Sequence, residues 1–295
     1  MIESFLQYIR YEKNYSSYTV LSYKKDLYQL KGYTELQSGE FDPLTLTSLQ
    51  FRSWVIDLMD VGHKATTVNR KISAVKNFFK YLNMRGVTDN NPTQKVNTLK
   101  TPKKIPQFFD KKEMDNCLVV SENCCNFGGV RDSLIVEMIY QTGLRRSEVA
   151  SLLDLAVDVD QKQLKVLGKG NKERMVPFGS DLANRIVEYR QMRDDEFETL
   201  PPNFFVNDKG APIKPADIYY KVKRLMGEVT TRDKRSPHVI RHTFATTMLN
   251  SGADINSIKE MLGHSSLTAT QLYTHATFEE VQKKYEQAHP RANKK

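Results

Sequence analysis

The stretch from 236 to 250 reads SPHVIRHTFATTMLN, and it decides how the second half of this chain is interpreted. Its Ser-Pro start predicts the beginning of a helix, because serine caps helix N-termini and proline fits the first turn. His238 and Arg241 are three positions apart and therefore share one face of that helix. His242 lies on an adjoining face. The stretch predicts a helix with basic groups near its start.

Other short phrases carry basic or nucleophilic groups at places where the chain is expected to turn: TGLRRSE at 142–148, GKGNKER at 168–174, LGHSS at 262–266 and LYTH at 272–275. Gly143 interrupts an apolar-periodic segment and separates two predicted helices. Alternating apolar and polar residues on both sides of GKGNK predict a β-hairpin with lysines in its turn. FFVND, at 204–208, predicts another short strand.

A metal site is the first alternative for the histidines. His238 and His242 have the i, i+4 spacing of a metal-binding pair. The glutamate of the zinc-protease motif is missing, however, and no acidic third ligand lies near in sequence. We therefore predict no metal. A structural histidine at a helix start and a tyrosine used only for packing remain alternatives for each residue taken alone.

The first hundred residues predict four helices, one of them amphipathic and basic. Ser16 or Ser17 can cap the second helix. TVNRKISAVKNFFKYLNMRG, at 67–86, places Val68, Ile72, Val75, Phe78, Phe79 and Leu82 on one face. The opposite face presents Arg70, Lys71, Lys76 and Lys80, and the following segment adds Lys103 and Lys104. These six are the candidate DNA-binding residues; the alternative is a solvated helix face.

Composition fits a folded, basic protein of two domains. The 295 residues carry 44 Lys and Arg against 35 Asp and Glu, a net charge of +9. Residues 1–107 hold 16 basic and 9 acidic residues, and the rest hold 28 and 26, so most of the excess charge lies in the first third. Such a charge suggests a polyanionic partner, usually nucleic acid.

The same sequence predicts the location and the domain limits. Three cysteines and the lack of a long apolar run predict a cytoplasmic protein that does not insert into membranes. Association with the nucleoid would follow from a DNA partner. We expect a helical DNA-binding domain at 1–97, a linker at 98–107 and a catalytic domain at 108–295. The predicted fold class is mainly α with a small β-sheet: a helical bundle followed by an α+β domain.

Taken together, these phrases resemble the tyrosine recombinase (phage integrase) family. TGLRRSE, GKGNKER, HVIRH, LGHSS and LYTH follow the family's order of arginine, lysine, histidine-arginine, histidine and tyrosine. YSSYTVLSYKKDL and TTVNRKISAVKNFFKYL resemble its N-terminal core-binding domain. The ending AHPRANKK is similar to that of the Xer subgroup, so the resemblance covers nearly the whole chain.

The resemblance implies a role for each matching residue. Tyr273 matches the nucleophile, Arg145 and Arg241 the two arginines that hold the scissile phosphate, and His238 and His264 the paired histidines. Lys169 matches the lysine that protonates the leaving oxygen, with Lys172 as its rival. Arg146 is the rival of Arg145. Further supporting positions are matched by Glu148, which would orient Arg145, and by His242.

The resemblance also implies the reaction and its partners. DNA strands would be cleaved and rejoined through a 3′-phosphotyrosyl intermediate without a metal or another cofactor. The two domains would clamp duplex recombination sites, and four protomers would assemble as a homotetramer or with a second recombinase of the XerD type. The C-terminal helix, with Phe278, Val281 and Tyr285, would dock on a neighbouring protomer; packing on its own domain is the alternative.

The biological setting leaves several alternatives open. In the Xer subgroup the role would be resolution of chromosome dimers, with an FtsK-like DNA translocase as a further partner. A mobile-element integrase, a topoisomerase-like nicking and resealing enzyme and a DNA-binding protein without chemistry are the other candidates.

Overall fold

The computed structural model of this chain describes residues 1–101, 107–122, 126–168, 172–263 and 285–291. Two compact units divide the chain, Met1–Lys104 and Ile105–Lys295, and each is described by itself. The division falls within the predicted linker, although Leu99 is still held by the first unit: the Asn69 side chain bonds both its N–H and its carbonyl.

Four α-helices form the first unit over its described residues: α1 (Ile2–Gln7), α2 (Ser17–Ser38), α3 (Ser48–Asp60) and α4 (Ala65–Met84). A short π-helical turn, Tyr8–Glu12, extends α1. Ser16 is the N-cap of α2, because its hydroxyl accepts a hydrogen bond from the N–H of Thr19 at 3.3 Å. A capping box between Thr47 and Gln50 starts α3.

The predicted apolar stripe of α4 is confirmed as the centre of this unit. Its six residues from Val68 to Leu82 are all buried, where they meet Phe5 of α1, Leu27 and Leu30 of α2 and Trp54 of α3. Since each helix contributes one apolar stripe, the four helices bury a common core and leave their polar faces outside.

Lys71 is a correction to the predicted basic face. It is buried rather than exposed, and its ammonium lies 3.1 Å from a carboxylate oxygen of Asp26 and also bonds the side chain of Gln29. Arg70 pairs with the other oxygen of Asp26. A buried carboxylate needs such partners, and therefore it draws Lys71 inward. Lys76 and Lys80 remain accessible on this helix.

The second unit is built around one buried helix. The helices are α5 (Lys111–Glu122), α6 (Phe127–Thr142), α7 (Arg146–Ser151), α8 (Ser180–Glu196), α9 (Pro215–Val229), α10 (Pro237–Asn250) and α11 (Ile255–Leu262). α6 is buried nearly all round, including its charged residues Arg131, Asp132 and Glu137, and is covered by α5, α8, α9 and α10. As predicted, it ends at Gly143, which has φ +64°.

A small antiparallel sheet lies beside these helices. Its order is β1 (Val157–Asp158), β2 (Gln163–Leu167) and β3 (Glu173–Pro177), with Leu164 opposite Val176 and Val166 opposite Arg174. The predicted hairpin is confirmed as β2 and β3, and its turn at 169–171 lies outside the described residues. FFVND forms no strand of its own: Val206 makes a single antiparallel bridge with Pro212.

The described end of the chain packs on its own unit. Residues 285–288 are helical, and the fully buried Tyr285 donates a hydrogen bond from its hydroxyl to Gln141 of α6 at 3.1 Å. Arg291 pairs with the buried Glu137 at 2.9 Å. The position of Tyr285 in the core of its own unit fits the alternative of packing on its own domain, and docking of the C-terminal helix on a neighbouring protomer stays a prediction. Phe278 and Val281 lie outside the described residues.

Candidate active site

Arginines from three different elements converge on one carboxylate in the second unit. Arg145 precedes α7, Arg174 lies on β3 and Arg241 on α10, and all three form ion pairs with Glu148 of α7. The nitrogen-to-oxygen distances are 2.8, 2.9 and 3.8 Å respectively. Three guanidinium charges against one carboxylate leave the cluster with a surplus of positive charge, which suits an anionic group.

Arg145 is held on both its backbone and its side chain. Its N–H and its Nη1 donate to the two oxygens of Glu148, each at 2.8 Å, and its Nη2 donates to the carbonyl of Gly263 at 3.0 Å. The side chain keeps 30% of its surface exposed. Arg145 is therefore fixed in direction and still open to a ligand.

Arg241 is the more buried of the two predicted phosphate-holding arginines. Its guanidinium donates to the carbonyls of Gly143 and Leu262, the second at 2.7 Å. Burial, helped by the positive charge of Arg145, lowers the pKa of Arg241 to about 10. The group stays protonated at neutral pH. Because its charge is shielded from water, it attracts an anion placed beside it more strongly than an exposed arginine would.

Arg174 is a member of the cluster that the sequence analysis missed. Its Nη1 and Nη2 donate to the two oxygens of Glu148 at 3.0 and 2.9 Å, and its Nε donates to the carbonyl of Met261 at 2.7 Å. A signal was present in the hairpin pattern: Arg174 shares the inward face of β3 with Val176 and stands opposite Val166. An arginine at an inward strand position predicts a buried acidic partner.

Glu148 is nearly inaccessible and stays ionised. Burial alone would raise the pKa of its carboxyl, but hydrogen bonds from Arg174 and from the backbone and side chain of Arg145 outweigh burial and hold that pKa below its ordinary value. The predicted orienting role for Glu148 agrees with this geometry, since its carboxylate fixes two of the three guanidinium groups.

The C-terminal end of α11 closes the cluster. Three successive carbonyls each accept a hydrogen bond from a different arginine: Met261 from Arg174, Leu262 from Arg241 and Gly263 from Arg145. The last carbonyls of a helix have no partners within it and carry its negative dipole end, and therefore they suit guanidinium donors.

One of the two predicted histidines on α10, His238, lies close enough to the cluster for the charges of its arginines to act on it. His238, in the first turn, is partly exposed, and its partial burial together with Arg146, Arg241 and Arg145 lowers its pKa. It is therefore neutral at physiological pH and able to accept a proton. His242 is half-buried one turn further along. Arg146 lies with its guanidinium carbon 5.9 Å from the centre of the Tyr219 ring.

Several predicted site residues lie outside the described residues: Lys103, Lys104, Lys169, His264 and Tyr273. The rival Lys172 is described and exposed, and its carbonyl accepts from the N–H of Gly168 at 2.8 Å. His264 directly follows Gly263, whose carbonyl is bound to Arg145. In the first unit, Lys76 and Lys80 line a shallow pocket together with Asn83.

Two absences are noted for the described residues. None of the helices in these ranges is both long and apolar enough to cross a membrane. Within the same ranges, no group of three or more His, Cys, Asp or Glu residues is placed so that it could hold a metal ion.

Comparisons with known proteins identify the class. The phage integrase family model matches residues 107–280, and the model of its N-terminal SAM-like domain matches residues 2–86. The chain belongs to the phage integrase family of tyrosine recombinases. A curated relative, Tyrosine recombinase XerC of Chlorobaculum tepidum, is 37% identical over 314 residues, which cover 98% of this chain and 94% of the relative.

These matches confirm the predicted family and its Xer subgroup. The chain is a site-specific tyrosine recombinase of the Xer type. The ending YEQAHPRA, at 285–292, had favoured the XerC type within the subgroup, and the name of this relative agrees with that preference.

Solved structures confirm the fold class. The integrase of transposon Tn1549 in complex with transposon right end DNA has a TM-score of 0.73 at 18% identity, covering 97% of this chain and 98% of that one. The XerH recombinase bound to its difH substrate has a TM-score of 0.69 at 20% identity, covering 96% and 83%. The predicted helical bundle with an α+β domain is the architecture that these likenesses support.

Proposed function

We propose that this recombinase cuts and rejoins duplex DNA at specific sites through a 3′-phosphotyrosyl intermediate, with Tyr273 as the nucleophile. The observation that carries the proposal is the cluster of Arg145, Arg174 and Arg241 around Glu148. A phosphodiester carries one negative charge, and attack builds more charge on its two non-bridging oxygens. Guanidinium groups fixed in advance stabilise such charge without rearranging.

The reaction balances without a metal or another cofactor. The phenol oxygen of Tyr273 bonds to phosphorus, and the bond from phosphorus to the 5′ oxygen breaks. An unperturbed phenol has a pKa of about 10, so a base is needed, and either the neutral His238 takes the proton or His264 does. Lys169 gives a proton to the departing 5′ oxygen, with Lys172 as its rival. A 5′ hydroxyl of another strand then attacks the phosphotyrosine and releases Tyr273.

Duplex DNA is the proposed partner, and tetramers act on paired sites. The XerH and Tn1549 structures contain DNA, which supports DNA as the ligand of this chain. Accessible Lys76, Lys80 and Arg70, with Lys103 and Lys104, would grip backbone phosphates, whose contacts position a protein more than they specify a sequence. The proposed domain limits are 1–97 and 108–295, joined by 98–107, and the two domains would close around the duplex.

The proposed cellular role is resolution of chromosome dimers in the cytoplasm, at the nucleoid. The XerC relative and the YEQAHPRA ending favour this role over that of a mobile-element integrase. A recombinase of the XerD type would complete a heterotetramer, and an FtsK-like translocase would bring the sites together. A homotetramer on identical sites is the simpler assembly.

A suicide substrate tests the chemistry. Nicked DNA from the chromosome-terminus region traps the covalent adduct, since the short 5′ fragment diffuses away before religation. Wild-type protein should form the adduct in the presence of a chelator, and Tyr273→Phe should bind DNA without forming it. An adduct that persists in Tyr273→Phe would refute the nucleophile, and inhibition by the chelator would refute the metal-free reaction.

Further variants test the remaining roles. Arg145→Ala should lower cleavage by at least about 10²-fold, as expected when a charge-stabilising donor is removed. Lys169→Ala should regain its cleavage rate on DNA with sulfur at the bridging 5′ position, because this sulfur leaves without a proton. If Lys172→Ala regains its rate instead, Lys172 is the proton donor. Relaxation of supercoils without exchange between two sites would favour a topoisomerase-like enzyme.

A further inference from the structure

We infer that Arg174 is a positioning residue for strand cleavage: it fixes the Glu148 carboxylate that aims Arg145, and it ties that carboxylate to the end of α11. The inference rests on the proposed function, because it assigns Arg145 to the scissile phosphate. Arg174 itself has only 11% of its side chain exposed, whereas Arg145 keeps 30%. Arg174 therefore acts through its neighbours and Arg145 meets the substrate.

Both oxygens of Glu148 are shared between the same two arginines. One oxygen accepts from Nη1 of Arg145 and Nη1 of Arg174, and the other accepts from the N–H of Arg145 and Nη2 of Arg174. A two-pronged contact fixes the plane of a carboxylate, which a single bond does not. Without Arg174, Glu148 would be free to rotate about its last torsion and would aim Arg145 less firmly.

A second contact joins this pair to α11. The Nε of Arg174 donates to the carbonyl of Met261, and its guanidinium lies close to Gly263. A Cβ on Gly263 would stand 3.1 Å from Nη1 and 3.3 Å from Cζ of Arg174, and Gly263 has φ +60°. The glycine thus provides both the left-handed turn and the space that the guanidinium needs. Arg174 spans from α7 to the end of α11 in a single side chain.

Lysine cannot reproduce these contacts. It carries the same charge but lacks the planar fork, so it reaches one oxygen of Glu148 and no longer bridges to Met261. Arg174→Lys therefore keeps the charge of the cluster nearly constant while it removes the geometry. A matched control is Arg193→Lys. Arg193 is somewhat more buried, with 6% of its side chain exposed against 11% for Arg174, and bonds Asp154 and the carbonyl of Phe204, but it takes no part in the cluster.

The test compares two nicked suicide substrates. One has an ordinary scissile phosphate, and the other has a methylphosphonate there, each stereoisomer being used separately. The methyl group removes the negative charge that the arginines neutralise, so the rate on this substrate depends less on how well Arg145 is aimed. A loss caused by general damage to the fold would be the same on both substrates.

We expect Arg174→Lys to bind DNA like wild type and to cleave the ordinary substrate about 10- to 100-fold more slowly. Residues that orient the ligands of a metal ion through hydrogen bonds have effects of this size, and Arg174 orients Arg145 in the same indirect way. On one or both methylphosphonate stereoisomers the loss should largely disappear. Arg193→Lys should lose no more on one substrate than on the other. An unchanged rate for Arg174→Lys, or an equal loss on all substrates, would overturn the inference.

A second variant covers failure of the first to fold. Arg174→Gln keeps one donor for Glu148 without a charge, and it replaces Arg174→Lys in the same comparison if the lysine variant does not bind DNA. If neither variant binds, Arg174 serves folding alone and the inference is wrong. If the wild-type protein forms no adduct, the proposed function fails instead, and the two failures are thereby separated.

Discussion

The carbonyl oxygen of Gly143 accepts a hydrogen bond from the guanidinium of Arg241, 98 residues further along the chain. Gly143 ends α6 in the left-handed conformation, which glycine adopts at little cost. A Cβ at this position would stand 2.5 Å from the ring of Phe244 and 2.7 Å from the side chain of Leu262. Because Gly143 has no side chain, α6 can end here while Phe244 and Leu262 pack against the backbone. The same backbone conformation directs the Gly143 carbonyl towards Arg241.

Gly143→Ala should destabilise the second unit strongly. Left-handed strain and overpacking should each contribute about 1–3 kcal/mol of lost free energy of unfolding. Because Arg241 depends on the Gly143 carbonyl, DNA cleavage should fall as well. Thermal unfolding and adduct formation measure the two effects.

Gly39→Ala is the matched control for this substitution. Gly39 also has a positive φ, +79°, but nothing lies within 4 Å of the Cβ it would carry. It should therefore show the strain without the overpacking. An equal loss of stability in the two variants would contradict the packing argument at Gly143.

Local sequence patterns predicted the helices and the hairpin, but they did not predict contacts between residues that are distant in sequence. The stripe of α4, the end of α6 at Gly143 and the β2–β3 hairpin follow from periodicity and turn residues, which indicate the face that an element buries. Periodicity carries no information on what lies across from that face. Arg174 meets Glu148 from 26 residues away and Met261 from 87, and hence the hairpin pattern indicated an inward arginine without its partners.

The burial of Lys71 was not predicted for the same reason. Its carboxylate partner, Asp26, lies 45 residues earlier, on a helix whose packing against α4 the sequence did not reveal. The roles of Arg145, Arg241 and Tyr273 were predicted instead from the order of short motifs across the whole chain. The cleavage assays test these roles.

The start of α2 offers a direct comparison between the two serines that the sequence left open. Ser16→Ala should lower the free energy of unfolding of the first unit by about 1 kcal/mol, because the N–H of Thr19 loses its side-chain acceptor. Ser17→Ala, one position into the helix, should stay within about 0.5 kcal/mol of wild type. Chemical denaturation measures both, and equal losses would contradict the assignment of Ser16 as the cap.

Lys71 and Lys80 lie on one helix but should respond differently to the same substitution. Lys71→Gln removes a buried partner of Asp26 and should cost about 1–3 kcal/mol of stability, with Arg70 still in place. Lys80→Gln, on the exposed face, should leave stability unchanged and weaken DNA binding.

Salt dependence separates these two roles further. If Lys80 contacts a phosphate, its loss should reduce the slope of log K against log salt by about one. Lys71→Gln should leave that slope as it is once the protein is folded. A reduced slope for Lys71→Gln at a temperature where it is fully folded would return Lys71 to the DNA-binding face.

His289 should make the stability of the second unit depend on pH. It is 3% exposed and enclosed by the rings of Tyr285, Tyr140 and Phe244. Its Nδ1 accepts from the N–H of Arg291 at 3.2 Å, and its Nε2 lies 3.2 Å from the carbonyl of Tyr140, so the neutral ring with a proton on Nε2 satisfies both contacts. Burial lowers the pKa of His289 to about 4.

The sign of the effect follows from this depressed pKa. Between pH 6.5 and about 4 the unfolded chain binds a proton at His289 that the folded chain does not, so acidification favours unfolding. Each pH unit in that window is worth about 1.4 kcal/mol, and by pH 5 the loss should reach about 2 kcal/mol. His289→Gln keeps a donor for the Tyr140 carbonyl and cannot titrate.

Denaturation curves of wild type and His289→Gln at pH 7 and pH 5 isolate this contribution. Burial raises the pKa of the neighbouring Glu137, against the pull of Arg291 and Arg185, and its titration opposes that of His289 in both proteins alike. The difference between the two proteins therefore reports His289. The variant should lose about 2 kcal/mol less than wild type on acidification. His63→Gln, in the first unit, is the control and should follow wild type; parallel losses in all three proteins would show that His289 is not kept neutral by its site.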